Sequence, residues 1–222
     1  MRFQNKIILF DIDYTIFNAK SYRDVFQEEL YKELGSGFSK DAFIQLANET
    51  YIDTKNQTGH FDPELLIARL AKQINKTVDV ARLTKMVIAD AFVQESLYEE
   101  SVEVFTKLSK DKALTLGIFS AGRIDLQRSK ILAVEKFLHK EHVHIFEYKK
   151  LYALPELLKR YENDKLYIID DIVSILYEAK KLYNGVTTIW IKRGIYTDKK
   201  VANFEPDFSI ENLREVIPIL QK

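Results

Sequence analysis

The sequence predicts an α/β fold: a parallel sheet flanked by helices, with an all-helical segment inserted after the first strand. Three observations carry that prediction. From about residue 97 onward, short β-branched and aromatic runs alternate with helical patterns, which implies parallel strands joined by right-handed crossovers. The run Ile7-Ile8-Leu9-Phe10 reads as a buried strand of the same kind near the start of the chain. Between residues 21 and 95 there is almost no strand signal.

The elements can be justified in order. Tyr22 to Leu34 carries Val25, Phe26, Leu30 and Leu34 at helical spacing and stops at Gly35-Ser36-Gly37. Ser39 caps a second helix running to about Tyr51. Asp62-Pro63-Glu64 is a helix start with proline at the first position, leading into Leu65, Leu66, Ala68, Leu70 and Ile74. A fourth helix is expected from about Asp79 to Glu95. The alternating pattern then resumes. It gives a helix over Val102 to Ser109, a strand over Leu114 to Phe119, a helix over Asp125 to Glu135 and a strand over Val143 to Phe146. Next come a helix over Pro155 to Tyr161, a strand over Leu166 to Ile169, a helix over Val173 to Leu182, a strand over Val186 to Ile191 and a closing helix over Asn212 to Leu220.

Composition narrows the function classes. With 222 residues, 46% of them hydrophobic and 30% charged, the chain can build a packed core and is too apolar for disorder. Its 33 basic and 33 acidic residues cancel, so nothing points to nucleic acid, which would need a basic excess or stripe. There is no cysteine, hence no disulfide and no thiolate chemistry. That fits a reducing compartment, and a cytoplasmic location is the expectation. Met1 to Lys6 is short and polar, and the apolar run after it is too short for a signal peptide or a membrane span. The sequence is silent on oligomeric state.

The chemistry lies just past the strand ends. Asp11-Ile12-Asp13-Tyr14-Thr15 comes directly after the first. In an open α/β sheet the carboxyl end of a strand is where ligands bind. Paired acids there suit a hard cation such as Mg²⁺, and one of them can serve as a nucleophile while the other moves protons. The same pattern also suits a strand ending in a turn. After the second strand comes Ser120-Ala121-Gly122-Arg123, a turn that presents a hydroxyl and backbone N–H groups suited to phosphate oxygens, or simply a Ser/Gly loop. Lys149-Lys150 comes after the third strand region, either balancing a cluster of acids or lying in solvent. Asp170-Asp171 ends the fourth, where adjacent acids are costly unless paired or bound to a cation, and where one can also cap the next helix.

Taken in order, these four strand ends resemble the motifs of the haloacid dehalogenase-like hydrolase superfamily. Asp11 to Thr15 looks like its first motif, Ser120 its second, Lys149 or Lys150 its third and Asp170-Asp171 its fourth. Leu97-Tyr98, Gln127, Lys130 and the run Thr188 to Gly194 resemble family members too. The departure is that neither lysine is followed by proline; Lys150 is slightly preferred. The resemblance implies a Rossmann-like core domain over residues 1–18 and 97–222, with a helical cap domain over 19–96. It implies a Mg²⁺-dependent phosphatase acting on a small phosphorylated metabolite, with no nucleic acid or membrane partner.

By the same resemblance, Asp11 is the nucleophile and Asp13 the proton donor and acceptor. Mg²⁺ is held by Asp11, the Asp13 backbone carbonyl and Asp171, with Asp170 nearby. Ser120 and the N–H groups of Ala121 and Gly122 bind phosphoryl oxygens, and the lysine adds positive charge. Thr15 is a further candidate, either for phosphate or for fixing the loop. A phosphomutase or dehalogenase of the same fold, or an idle phosphate-binding module, are the competing readings. Family dehalogenases typically lack an acid at the position of Asp13.

Overall fold

The computed structural model describes residues 5–221. The first four residues of the polar start and the last residue of the predicted core domain lie outside the described residues. The elements run β1 (Lys6–Phe10), α1 (Ala19–Leu34), α2 (Lys40–Thr58), α3 (Pro63–Gln73), α4 (Val80–Val87), α5 (Asp90–Gln94), α6 (Ser101–Leu108), β2 (Leu114–Ala121) and α7 (Ile124–Glu135). They continue β3 (Val143–Phe146), α8 (Lys150–Arg160), β4 (Lys165–Asp170), α9 (Val173–Leu182), β5 (Thr187–Ile191), β6 (Phe208–Ile210) and α10 (Val216–Leu220).

The six strands form one parallel sheet in the order β3-β2-β1-β4-β5-β6. β1 is internal: Phe10 lies beside Ile118 of β2 on one side and Ile169 of β4 on the other. The chain winds outward from β1 through β2 to β3, then crosses back to β4. Such a reversal opens a crevice at the carboxyl ends of the strands. Alternate residues of β1 serve the two faces. Ile8 and Phe10 pack with Val104, Phe105, Ile131 and Val216, whereas Ile7 and Leu9 pack with Leu154, Leu157, Leu176 and Ala179. A strand covered by helices on both faces must be apolar throughout, which is why the run before Asp11 does not alternate with polar residues.

Helices α1 to α5 gather a third apolar cluster of their own, including Phe26, Leu30, Phe43, Leu66, Leu70, Leu83 and Val87. The insertion leaves and re-enters at one place. Asn18 N–H donates to Ser96 O at 2.8 Å, Tyr98 N–H donates to Ile16 O at 3.2 Å, and Phe17 bridges Leu97 in antiparallel fashion. Among the described residues no helix is long and apolar enough to cross a membrane.

Four differences from the sequence expectations have physical causes. The helix expected over 79–95 breaks into α4 and α5 at Ala89, whose backbone is extended. The carbonyls freed by the break find side-chain donors: Tyr22 Oη at 3.0 Å from Val87 O and Ser129 Oγ at 3.3 Å from Ile88 O. α2 continues past Tyr51 to Thr58, where Gly59 ends it with a left-handed backbone (φ 81°); its last turns are polar, so apolar spacing does not mark them. α8 begins at Lys150 rather than Pro155, so the proline sits inside it. β6 is three residues long, too short to register as a pattern.

Candidate active site

Asp11 stands one residue past β1, and its N–H donates to Ile169 O at 2.9 Å, extending the parallel ladder into the crevice. The chain then coils tightly. The N–H groups of Thr15, Ile16 and Phe17 all point at Ile12 O, at 3.2, 3.0 and 3.0 Å, and Tyr14 N–H donates to Phe17 O at 2.7 Å. Tyr14 takes a left-handed backbone (φ 58°), a conformation that costs a tyrosine about 1 kcal/mol or more. Its ring lies on Gly194; a Cβ there would stand 2.4 Å from Tyr14 Cγ. This coil separates the two acids of the first motif into different environments.

Asp11 joins Asp170 and Asp171, with one carboxylate oxygen from each lying within 4.8 Å of the others. All three residues are buried. Lys150 Nζ sits among them, 2.9 Å from Asp11 Oδ1 and 2.5 Å from Asp170 Oδ2. The second oxygen of Asp170 accepts from Ile172 N–H at 2.9 Å, so Asp170 caps the turn into α9 while it holds the lysine. Asp171 Oδ2 is buried with no hydrogen-bond partner. Its backbone oxygen is fixed by Trp190 Nε1–H at 2.9 Å.

Three carboxylates face one ammonium. Burial works to strip the proton from Lys150, but the charges of Asp11 and Asp170 overcome it and hold the lysine above its ordinary range. Burial also drives Asp170 upward, to about 7; Lys150 opposes this and Asp11 reinforces it. Asp171 rises further, to about 9, because burial is followed by repulsion from Asp170 and Asp11 and the lysine is a weaker offset. A site with excess buried negative charge and an oxygen lacking a donor fits a small hard cation, whose ligands are carboxylate oxygens and waters. The donor set matches Mg²⁺ chemistry.

Asp13 lies outside this triad. Its Oδ1 is 2.7 Å from Lys130 Nζ and its Oδ2 accepts from Gln127 Nε2 at 3.2 Å. Gln127 and Lys130 are both buried and one turn apart on α7. The same Gln127 amide reaches Ser120 Oγ at 3.3 Å and Ala121 O at 2.8 Å, which ties the end of β2 to Asp13. The sequence alone attached no role to either residue. Their resemblance to family members, after the serine turn, was the available signal.

Several predicted site residues sit elsewhere than expected. Gly122 N–H donates to Phe146 O at 2.8 Å and so already has a partner. Gly122 instead makes room: its φ is 149°, and a Cβ there would meet Gln127 Nε2 at 2.7 Å. Gly122→Ala should therefore lower stability by about 1–3 kcal/mol, measured by chemical denaturation, through backbone strain and displacement of Gln127. Thr15 is fully buried, does not line the crevice, and its hydroxyl has no partner. Its backbone oxygen is what engages, accepting from Arg193 Nη1 at 3.2 Å. Arg193 also pairs with Glu100 and stacks over Tyr98, 4.0 Å from the ring centroid, so it anchors the coil after β1. Lys149 is exposed on the crevice wall and approaches none of the three acids, whereas Lys150 is the buried lysine between them.

The crevice itself has a volume of about 810 Å³ and runs from Asp11, Asp171 and Ser120 to Tyr51 on α2 and His60 in the connection from α2 to α3. Arg123 bridges its rim, 2.9 Å from Asp125 on its own side and 3.5 Å from both Asp62 and Glu64 across the gap.

No family model matches the sequence. A curated relative, the glyceraldehyde 3-phosphate phosphatase of Methanocaldococcus jannaschii, is 25% identical over 233 residues, covering 97% of each chain. A protein of Burkholderia xenovorans provisionally assigned as a haloacid dehalogenase-like hydrolase superposes with a TM-score of 0.75 at 17% identity, covering 97% of this chain and 96% of that one. The provisionally assigned HAD-hydrolase YfnB of Bacillus subtilis, solved with magnesium bound, gives 0.65 at 18% identity over 98% and 99% of the two chains. The L-2-haloacid dehalogenase RSc1362 gives 0.65 at 16% identity over 98% and 99%. The chain thus has the fold of the haloacid dehalogenase-like hydrolases, with its buried acid cluster at the rim of the sheet.

Proposed function

We propose that this protein is a Mg²⁺-dependent phosphatase that hydrolyses a small phosphorylated metabolite through an aspartyl-phosphate on Asp11. The observation that carries the reading is the division of labour between the two acids of the first motif. Asp11 shares a buried pocket with Asp170, Asp171 and Lys150, while Asp13 is held apart by Lys130 and Gln127.

In this mechanism an Asp11 oxygen attacks phosphorus. The bond from phosphorus to the ester oxygen breaks, and Asp13 gives its proton to that departing oxygen. Asp13, now a carboxylate, takes a proton from a water whose oxygen attacks the same phosphorus. The bond from phosphorus to the Asp11 oxygen breaks, the Asp11 carboxylate returns and inorganic phosphate leaves. Lys130 and Gln127 orient Asp13 for both transfers. Ser120 Oγ donates to a phosphoryl oxygen, and Lys150 offsets charge while fixing Asp11. Asp11 and Asp171 would hold Mg²⁺, with Asp170 behind them, and the bound cation would reduce repulsion between a carboxylate and an anionic phosphate.

Helices α1 to α5 act as a cap domain over residues 19–96, closing on the core over 1–18 and 97–222. A cap favours small substrates because it excludes bulk as well as water. A cytoplasmic setting fits a cysteine-free chain of this kind. The dehalogenase alternative is disfavoured by Asp13, since a departing halide needs no proton. A catalytically idle module would not retain every charged member of the set.

The test is simple. Incubated with p-nitrophenyl phosphate, the protein should release phosphate with Mg²⁺, stop on addition of EDTA and recover when Mg²⁺ is restored. Halide release from 2-chloropropionate without phosphate release would overturn the reading.

A further inference from the structure

The two ends of the crevice differ in how their charges are paired. The core end holds Asp11, Asp13 and Asp171, the only acids that line the crevice among the described residues, together with Lys130 and Lys150, which pair with Asp13 and Asp11. The cap end carries Arg23 from α1 and Lys55 from the polar last turns of α2. Both cations flank one ring: the Arg23 guanidinium is 5.5 Å from the Tyr51 ring centroid and the Lys55 ammonium 6.0 Å. Neither belongs to any ion pair among the described residues, although both are half-buried. Arg123, by contrast, lines the same crevice but is taken up by Asp62, Glu64 and Asp125.

Two like charges held against one aromatic ring repel each other, and partial burial removes some of the water that would screen them. Their favourable counterpart is an anion in the space they face. Arg23 also lies near the chemistry. It lines the same crevice as Asp13 and Tyr14. The crevice thus spans from Asp13 and Tyr14 of the first motif to Arg23, Tyr51 and Lys55 on the inserted helices. A guanidinium gives a planar fork that matches a carboxylate or phosphate, and an ammonium adds a point charge beside it.

We propose that Arg23 and Lys55 form a subsite for a second anionic group on the substrate, so that the preferred substrate is a phosphate monoester bearing a carboxylate or a second phosphate. This rests on the phosphatase reading above and goes beyond it by naming the substrate class. Tyr51 holds the two cations in place and offers its face to the carbon skeleton between the anions. The last turns of α2 therefore have a function that explains their polar sequence: they bring Lys55 over the crevice.

Matched pairs of esters test this with Mg²⁺ present. 3-Phosphoglycerate and glyceraldehyde 3-phosphate share a skeleton but differ by carboxylate against aldehyde. Fructose 1,6-bisphosphate and fructose 6-phosphate differ by a second phosphate. At least one member bearing the second anionic group should show a kcat/KM about 10- to 100-fold above its partner, carried mainly in KM, the size expected for charged hydrogen bonds. Arg23→Gln and Lys55→Gln should each bring that ratio toward 1, while Lys40→Gln, which alters a cation paired with Glu28 outside the crevice, should keep it. Preference in the first pair alone identifies a carboxylate, and in the second alone a phosphate. Ratios near 1 in both pairs, with p-nitrophenyl phosphate still hydrolysed, overturn the subsite and leave the phosphatase reading intact. So do ratios that neither variant changes. If no ester is hydrolysed the phosphatase reading fails, and calorimetry then decides the subsite: tighter binding of 3-phosphoglycerate than of glyceraldehyde 3-phosphate, lost in Arg23→Gln, supports it, and equal affinities overturn it.

Discussion

Asp11→Asn is expected to lower kcat by about 10⁴-fold or more, since removing a nucleophile removes the covalent route and leaves only binding and electrostatic assistance. The same change should not lower thermal stability. Asp11, Asp170 and Asp171 crowd three carboxylates around Lys150, and asparagine removes one negative charge while leaving the 2.5 Å contact of the lysine with Asp170. A melting temperature equal to or above that of the parent, together with lost turnover, is the signature of a residue kept for chemistry at the expense of stability. Phosphate release retained at the parent rate would remove Asp11 from the nucleophile's role.

Lys150→Met carries the opposite sign on stability. The ammonium is buried, and it is the cation that touches Asp11 and Asp170 at 2.9 and 2.5 Å. Methionine fills the volume of the stem but leaves buried carboxylates uncompensated, a loss of about 3–5 kcal/mol. In a chain of this length that is a fall of roughly 6–20 °C in melting temperature. Added Mg²⁺ should recover part of it, because the cation takes over some of the lost positive charge, and turnover should remain severely reduced. Lys149→Met should change stability by less than about 0.5 kcal/mol, as that side chain is exposed and paired with no acid. Equal effects at the two positions would mean that the lysine of the site has been wrongly chosen. Differential scanning fluorimetry with and without Mg²⁺ reads both.

The central part of the fold was legible because its signals are local and strong. Ile7 to Phe10 is an uninterrupted apolar run, and the strand over Val143–Phe146 and the helix over Val173–Leu182 coincide with their patterns. The acids past β1 and β4 were legible for a related reason: charge directly after a buried strand has few explanations. What escaped depends on contacts between distant residues. The break at Ala89 exists because Tyr22 and Ser129 supply donors to carbonyls that a continuous helix would have used itself. Pro155 reads as a helix start, yet α8 reaches back to Lys150, and that reach is what brings the lysine to Asp11. Gln127 and Lys130 resemble family members in sequence, but what they touch is set only when β2 and the coil after β1 bring Asp13 against them. The N–H of Gly122 appeared suited to phosphate but is consumed by Phe146 across the β2–β3 edge, a pairing that depends on the register of the two strands.

The most direct measurement is capture of the covalent intermediate. The protein is mixed with Mg²⁺ and a phosphate monoester, quenched in acid within milliseconds, digested with trypsin and analysed by mass spectrometry after borohydride reduction of acyl-phosphates. The account predicts that the peptide Ile7 to Lys20 carries the modification at Asp11, that Asp11→Asn abolishes it, and that hydroxylamine releases the phosphate. Phosphate on Ser120 or a histidine, or normal turnover with Asp11 never modified, would contradict it.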